Sequence, residues 1–120
     1  GSVWEAIMSA ESFKLDNLIA IVDNNGFQNE IEPSETIMDS ESFEDKWEKF
    51  GWNVRSVDGH NISDLYSALV EYNVENKPKV VIAHTVKGKG VSFMENNNEW
   101  HHNRLTETYY NLALQEMGEI

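Results

Sequence analysis

The stretch "KVVIAHTV", residues 79–86, narrows the choice of fold more than any other part of the chain. It is nearly continuous in apolar, largely β-branched residues and too short for a helix of ordinary length, so it reads as a strand. A strand without polar alternation has to be covered on both faces, which is the situation inside a parallel sheet flanked by helices. Residues 18–22, "LIAIV", have the same character and predict a second strand buried on both faces, and residues 52–57 a third. The segments between them carry a helical period. Residues 3–14 place apolar side chains at Val3, Ala6, Ile7, Ala10 and Phe13. Residues 42–50 do so with Phe43, Trp47 and Phe50, with Ser42 and Asp45 resembling a capping box and Gly51 as the stop. Residues 62–72 follow with Ile62, Leu65, Leu69 and Tyr72 and end before Lys77-Pro78. Residues 106–117 form the last helix, with Gly118 as its C-cap. The order α-β-α-β-α-β-α predicts an α/β fold, a three-layer α/β/α arrangement around a mostly parallel sheet.

Ligands of open parallel sheets bind beyond the carboxyl ends of the strands. Two such ends carry unusual residues here, at 23–27 and 85–90, and each leads into a long irregular stretch. A chain of 120 residues with 40% apolar residues and four Trp fits one domain, residues 1–120. The absence of Cys excludes disulfides and thiolate chemistry and favours a cytoplasmic setting. No run is long enough to span a membrane. A net charge of −12 argues against nucleic acid or an anionic membrane as a partner, so an anionic ligand needs a local basic site. Lys87, Lys89 and Arg104, with His101 and His102, form the one segment where positive charge gathers.

Several residues fit two descriptions each. In "DNNG", the Asn25 amide oxygen and the main-chain carbonyl of Phe27 are hard ligands of the kind Mg²⁺ or Ca²⁺ takes, with Gly26 letting the backbone bend. A plain Asx or glycine turn accounts for the same residues. In "TVKGKG", main-chain amides and a lysine offer a phosphate grip, while a flexible loop with solvated lysines is the simpler description. In "EWHH", the histidines suit phosphate binding or proton transfer, or form a surface pair packed on Trp100. His60 belongs to a turn, and His84 to a strand, the usual place of a satisfied structural histidine. Glu5 favourably places a negative charge near a helix N-terminus.

Taken together, the words "GSVWEA", "KLDNLIAIVDNNGFQ", "KWEKFGWNVRSVDGHN" and "VVIAHTVKGKGVSFMENNNEWH" resemble the transketolases. They are most similar to the separate N-terminal subunit found where transketolase is encoded as two chains. The words follow the family's order over nearly the whole chain. Deoxyxylulose phosphate synthases and pyruvate dehydrogenases share the strand-end Asn but not this combination of words. The resemblance implies a thiamine diphosphate-binding domain. It also implies two-carbon ketol transfer between phosphorylated sugars in pentose phosphate metabolism, and a C-terminal transketolase subunit or domain as partner in a homo- or hetero-oligomer. It implies further that Asn25 and the carbonyl of Phe27 hold Mg²⁺ and that Lys87 and His101 contact the cofactor's diphosphate. His101 would also assist proton transfers, and Glu5 would belong to a carboxylate chain at the dimer interface.

The departure from the family pattern is at the N-terminus. The family's Gly-Asp-Gly, whose Asp is a Mg²⁺ ligand, would stand before residue 1, and the domain that binds the aminopyrimidine is not in this sequence. The expectation is therefore the C-terminal portion of a thiamine diphosphate-binding domain, inactive by itself and prone to associate through an unpaired sheet edge. A non-catalytic assembly module of the same fold, or part of another thiamine diphosphate enzyme, are the alternatives.

Overall fold

The computed structural model describes residues 1–27, 41–71 and 74–118, without the side chains of residues 41 and 42. Most of the irregular stretch expected over 24–41, Tyr72, and the Ser42 half of the expected capping box lie outside the described residues. The described residues form two compact units. One takes in Gly1–Asn24 and the described residues from 41 up to His84; the other takes in residues 25–27 and the described residues from Thr85 onward.

The first unit contains α1 (Ser2–Ser12), β1 (Ile19–Asn24), α2 (Glu41–Lys49), β2 (Asn53–Asp58), α3 (Ile62–Val70) and β3 (Lys79–His84). The strands form one parallel sheet in the order β1-β3-β2, so the last strand in sequence is the central one. Val80, Val81 and Ile82 of β3 have no exposure to solvent, as its unbroken apolar sequence requires. Side-chain alternation divides the strand between two layers. Val80 and Ile82 join Ile7 and Ala10 of α1, Trp47 of α2 and Trp52 in one core, against which Ala20, Val22 and Val54 pack. The Trp52 ring meets Trp47 edge-on at 4.8 Å, and its Nε1–H donates to the Ile7 carbonyl at 3.0 Å. Helix α3 contacts β2 and β3.

The apolar sequence of β1 predicts burial on both faces, and there the structure differs. Its residues alternate between exposed and half-buried, with Ile21 60% exposed. The physical reason is position. As an outer strand of the described sheet, β1 gains the α1–α2 core on one face. The contacts of α3 on the opposite face go to β2 and β3. An apolar run therefore marks a strand but does not say whether it is central.

Turns and ends follow local chemistry. Gly51 takes φ +85° after α2, and a Cβ there would stand 2.6 Å from Cγ of Glu11, so both conformation and space call for glycine. In "VDGHN", the Asp58 carboxylate accepts the His60 N–H at 2.9 Å, and Asn61 caps α3 by accepting from Ser63 and Asp64 N–H. Arg55 makes a two-pronged bond to Glu71, which holds the Glu71 carboxyl below its usual range.

Lys79 opens β3 and is fully buried. Its Nζ donates to the carbonyls of Ala68 at 3.0 Å, Leu69 at 3.5 Å and Glu71 at 2.5 Å, satisfying acceptors left open at the C-terminus of α3.

The described residues of the second unit include a 3-10 turn (Asn98–His101) and α4 (Glu107–Glu116). Thr106 caps α4 through its hydroxyl, and Gly118, with φ +76°, follows the helix end as the sequence predicts. Phe93, Trp100 and Tyr109 pack as a triangle with ring centroids 4.9–5.1 Å apart. The Glu116 carboxylate accepts the main-chain N–H of Ser92 and, at 2.7 Å, its hydroxyl. These bonds, the main-chain one foremost, hold the Glu116 pKa below its ordinary value of 4.5.

Two expectations follow. Lys79→Met leaves buried carbonyls without a donor and should cost about 2–3 kcal/mol, read as a lower urea midpoint of the native protein; an unchanged midpoint would refute the capping role. Because the folded-state pKa of Glu116 is depressed, its contribution to stability is present above the ordinary carboxyl pKa. It fades as pH falls through the folded value. Ser92→Ala should move the Glu116 titration upward in a ¹³C NMR experiment, while the remaining main-chain N–H still acts on it.

Candidate functional site

Asn25, Phe27, Lys87 and His101 fall in the second unit, while Asp23 and Asn24 belong to the first. Glu5 also lies in the first unit, exposed in the first turn of α1.

At the first strand end, Gly26 adopts φ +77° and the Phe27 N–H donates to Oδ1 of Asn25 at 2.9 Å. This is an Asx turn, the simpler of the two descriptions the sequence allows.

The second strand end is a folded loop rather than a flexible one. Lys89 N–H donates to Val86, Val91 N–H to Gly88, Met94 N–H to Val91, and Asn96 N–H returns to the Lys87 carbonyl at 2.9 Å. Gly88 and Gly90 take φ +74° and +95°. A Cβ on Gly88 would run into the main chain of Met94, so the loop can close only with glycine there. Val91 is buried and anchors the loop.

The two lysines of "KGKG" then part company. Lys89 pairs with Glu95 at 3.6 Å, while the same carboxylate accepts the Gly90 N–H at 3.0 Å. Half-buried Lys87 places Nζ 3.4 Å from Nδ1 of His101. An ammonium can only donate, so as a hydrogen bond this contact has Lys87 as donor and Nδ1 of His101 as acceptor. The ring is presented by the 3-10 turn, which Asn97 caps by accepting the Glu99 N–H at 3.0 Å. Trp100 turns the other way, into the Phe93–Tyr109 cluster. The two histidine rings meet each other, centroids 4.6 Å apart.

Two basic side chains in contact, an amine and an imidazole, suit an anion such as a diphosphate. For a metal ion the inventory is smaller. Among the described residues no group of three or more His, Asp or Glu side chains could hold one. Asn25 and the Phe27 carbonyl supply hard oxygens, and the rest of an octahedron would have to come from a ligand or from other residues.

Sequence reasoning passed over the polar contacts of His84, which bonds to Asn24 and Ser56. Partners 60 and 28 residues away leave no local signal.

This architecture is an α/β domain of the kind that binds thiamine diphosphate. Residues 1–118 match the family described as the transketolase thiamine diphosphate-binding domain, and the chain belongs to that family. It is 41% identical over 120 residues to one of the subunits of an apulose-4-phosphate transketolase from Phocaeicola vulgatus, covering 99% of this chain and 42% of that protein. It is 38% identical over 121 residues to human transketolase, covering 100% of this chain and 18% of that protein. The crystal structure of Campylobacter jejuni transketolase superposes with a TM-score of 0.83 at 29% identity, over 96% of this chain and 18% of that one. The chain thus spans less than half the length of these relatives.

Proposed function

We propose that this chain holds the diphosphate end of thiamine diphosphate, together with Mg²⁺, in a transketolase-type enzyme completed by a partner subunit or domain. The reaction is two-carbon ketol transfer between sugar phosphates, and the setting is cytoplasmic. The observation that carries this reading is the Lys87–His101 pair, 3.4 Å apart in the unit that also holds Asn25 and Phe27. The P. vulgatus relative is named as one subunit of its transketolase, which supports the need for a partner.

Bound thiamine diphosphate supplies the nucleophilic carbon that the transfer requires. The chain's own residues bind and orient. Lys87 offsets diphosphate charge and donates to a phosphate oxygen. Nε2 of His101, the ring nitrogen not engaged with Lys87, contacts a diphosphate oxygen or exchanges a proton with substrate, one at a time. Oδ1 of Asn25 and the carbonyl of Phe27 serve as two of the Mg²⁺ ligands, and a carboxylate and phosphate oxygens complete the set. Glu5, exposed on α1, is available to a neighbouring protomer.

The test is calorimetry of thiamine diphosphate with Mg²⁺ on the native protein and its partner. Lys87→Ala and Asn25→Ala should each weaken binding roughly ten- to a hundredfold, the worth of one charge-assisted contact. Lys89→Ala, whose charge is already answered by Glu95, should change it by less than about threefold. Full affinity in the Lys87 and Asn25 variants would refute the assignment. Turnover of ketose phosphates, against none with 2-oxo acids, would separate a transketolase from other enzymes that use the same cofactor.

A further inference from the structure

The face of the sheet that packs on α1 and α2 changes character at its carboxyl edge. On that face Ala20 and Val22 of β1, Val54 of β2, and Val80 and Ile82 of β3 belong to the core. The next residue of the same parity on each strand is polar: Asn24, Ser56 and His84. These three side chains are joined to each other and to α2. Ser56 Oγ lies 2.6 Å from Oε1 of Glu44, His84 Nε2 lies 2.7 Å from Ser56 Oγ, and Asn24 Nδ2 lies 3.3 Å from His84 Nδ1.

The direction of these bonds follows from the donor inventory. A carboxylate only accepts, so Ser56 spends its single proton on Glu44. Ser56 must then accept from His84, which places the imidazole proton on Nε2. Nδ1 is left as an acceptor, and it faces the Asn24 amide N–H. With the carboxylate as the terminal acceptor, the relay runs Asn24 to His84 to Ser56 to Glu44 across all three strands and one helix, and His84 Nε2 also lies 3.6 Å from Oε1 of Glu44.

Its location gives it a use. Asn24 and His84 are register partners at the last rung of the β1–β3 ladder. They are also the last residues of the first unit before the chain continues into Asn25 and into Thr85. Asn25 directly follows Asn24, and Lys87 comes three residues after His84. The terminal rung of a ladder has no further rung to hold it. Here the side-chain relay braces that rung from both neighbouring strands.

We propose that His84 and Ser56 are positioning residues for the cofactor site: through the relay they hold side by side the two strand ends from which the Asn25 and Lys87 segments depart. This inference rests on the cofactor reading given above. Outer partners that orient ligating groups typically matter at the level of about ten- to a hundredfold in affinity.

The experiment uses the native protein with its partner subunit. It reads thiamine diphosphate and Mg²⁺ affinity by calorimetry, and the thermal midpoint of the cofactor-free protein separately. Ser56→Ala and His84→Ala should weaken cofactor binding at least tenfold with little change in the cofactor-free midpoint. Ser56→Thr, which keeps the hydroxyl on a strand that favours β-branching, should restore it. ¹⁵N shifts of the His84 ring should show Nε2–H and a bare Nδ1 in the wild type. Wild-type binding that persists undiminished in Ser56→Ala and His84→Ala would overturn this inference alone. Losses that only track a lowered midpoint and are not recovered by Ser56→Thr would overturn it in favour of a structural role. Absence of cofactor binding by the wild type would overturn the cofactor reading and this inference with it.

Discussion

The burial of β3 between two parallel neighbours and two helical layers is the constraint on which the first unit depends. Four consecutive residues from Val80 to Ala83 leave no room for a polar side chain in the middle of the strand. Its polar residues are therefore pushed to its ends, where they take opposite roles. At the start, Lys79 is wholly buried, and its charge is tolerable only because main-chain carbonyls at the end of α3 surround it. At the finish, His84 emerges from the core and bonds outward to both neighbouring strands. A single strand thereby ties down a helix C-terminus at one end and the carboxyl edge of the sheet at the other.

The carboxyl edge is where a parallel sheet has chemistry to offer; the second unit has its own organisation. The "KGKG" loop is folded back on itself by glycines at positive φ and by main-chain bonds to residues several positions on. The fold separates two lysines that look equivalent in sequence. Lys89 is answered by Glu95, whereas Lys87 is held against an imidazole. In a chain with twelve more acidic than basic charges, a lysine directed to another basic group rather than to a carboxylate is a local departure from the global balance. It is the departure that an anionic ligand requires.

Much of this was readable along the chain. The alternation of helical and strand patterns, the turn at Asp58–Asn61, Gly51 and Gly118 as helix stops, and the strand ends as candidate sites all rest on local rules. Those rules depend on a few neighbouring residues. The exposure of Ile21 was not readable, because an apolar run is the same string whether its strand is central or outermost. Nor was the relay through His84: its members are separated by 12, 28 and 60 residues, and each by itself is an ordinary polar residue on a strand or helix. The place of Trp100 in an aromatic cluster belongs to the same class, since Tyr109 reaches it only after the chain has folded.

By itself, the sequence determined the class of fold and the family, and it named the candidate residues for a ligand. Periodicity, glycine and proline placement and motif order are properties of the linear chain. The tertiary structure alone decided which strand is central, which lysine is paired with a carboxylate, and which distant side chains meet Lys87 and His84. Each of those outcomes depends on what stands within about 3 Å of a given atom, the range over which hydrogen bonds act. Contacts at that range between remote residues exist only once the sheet order β1-β3-β2 has brought them together.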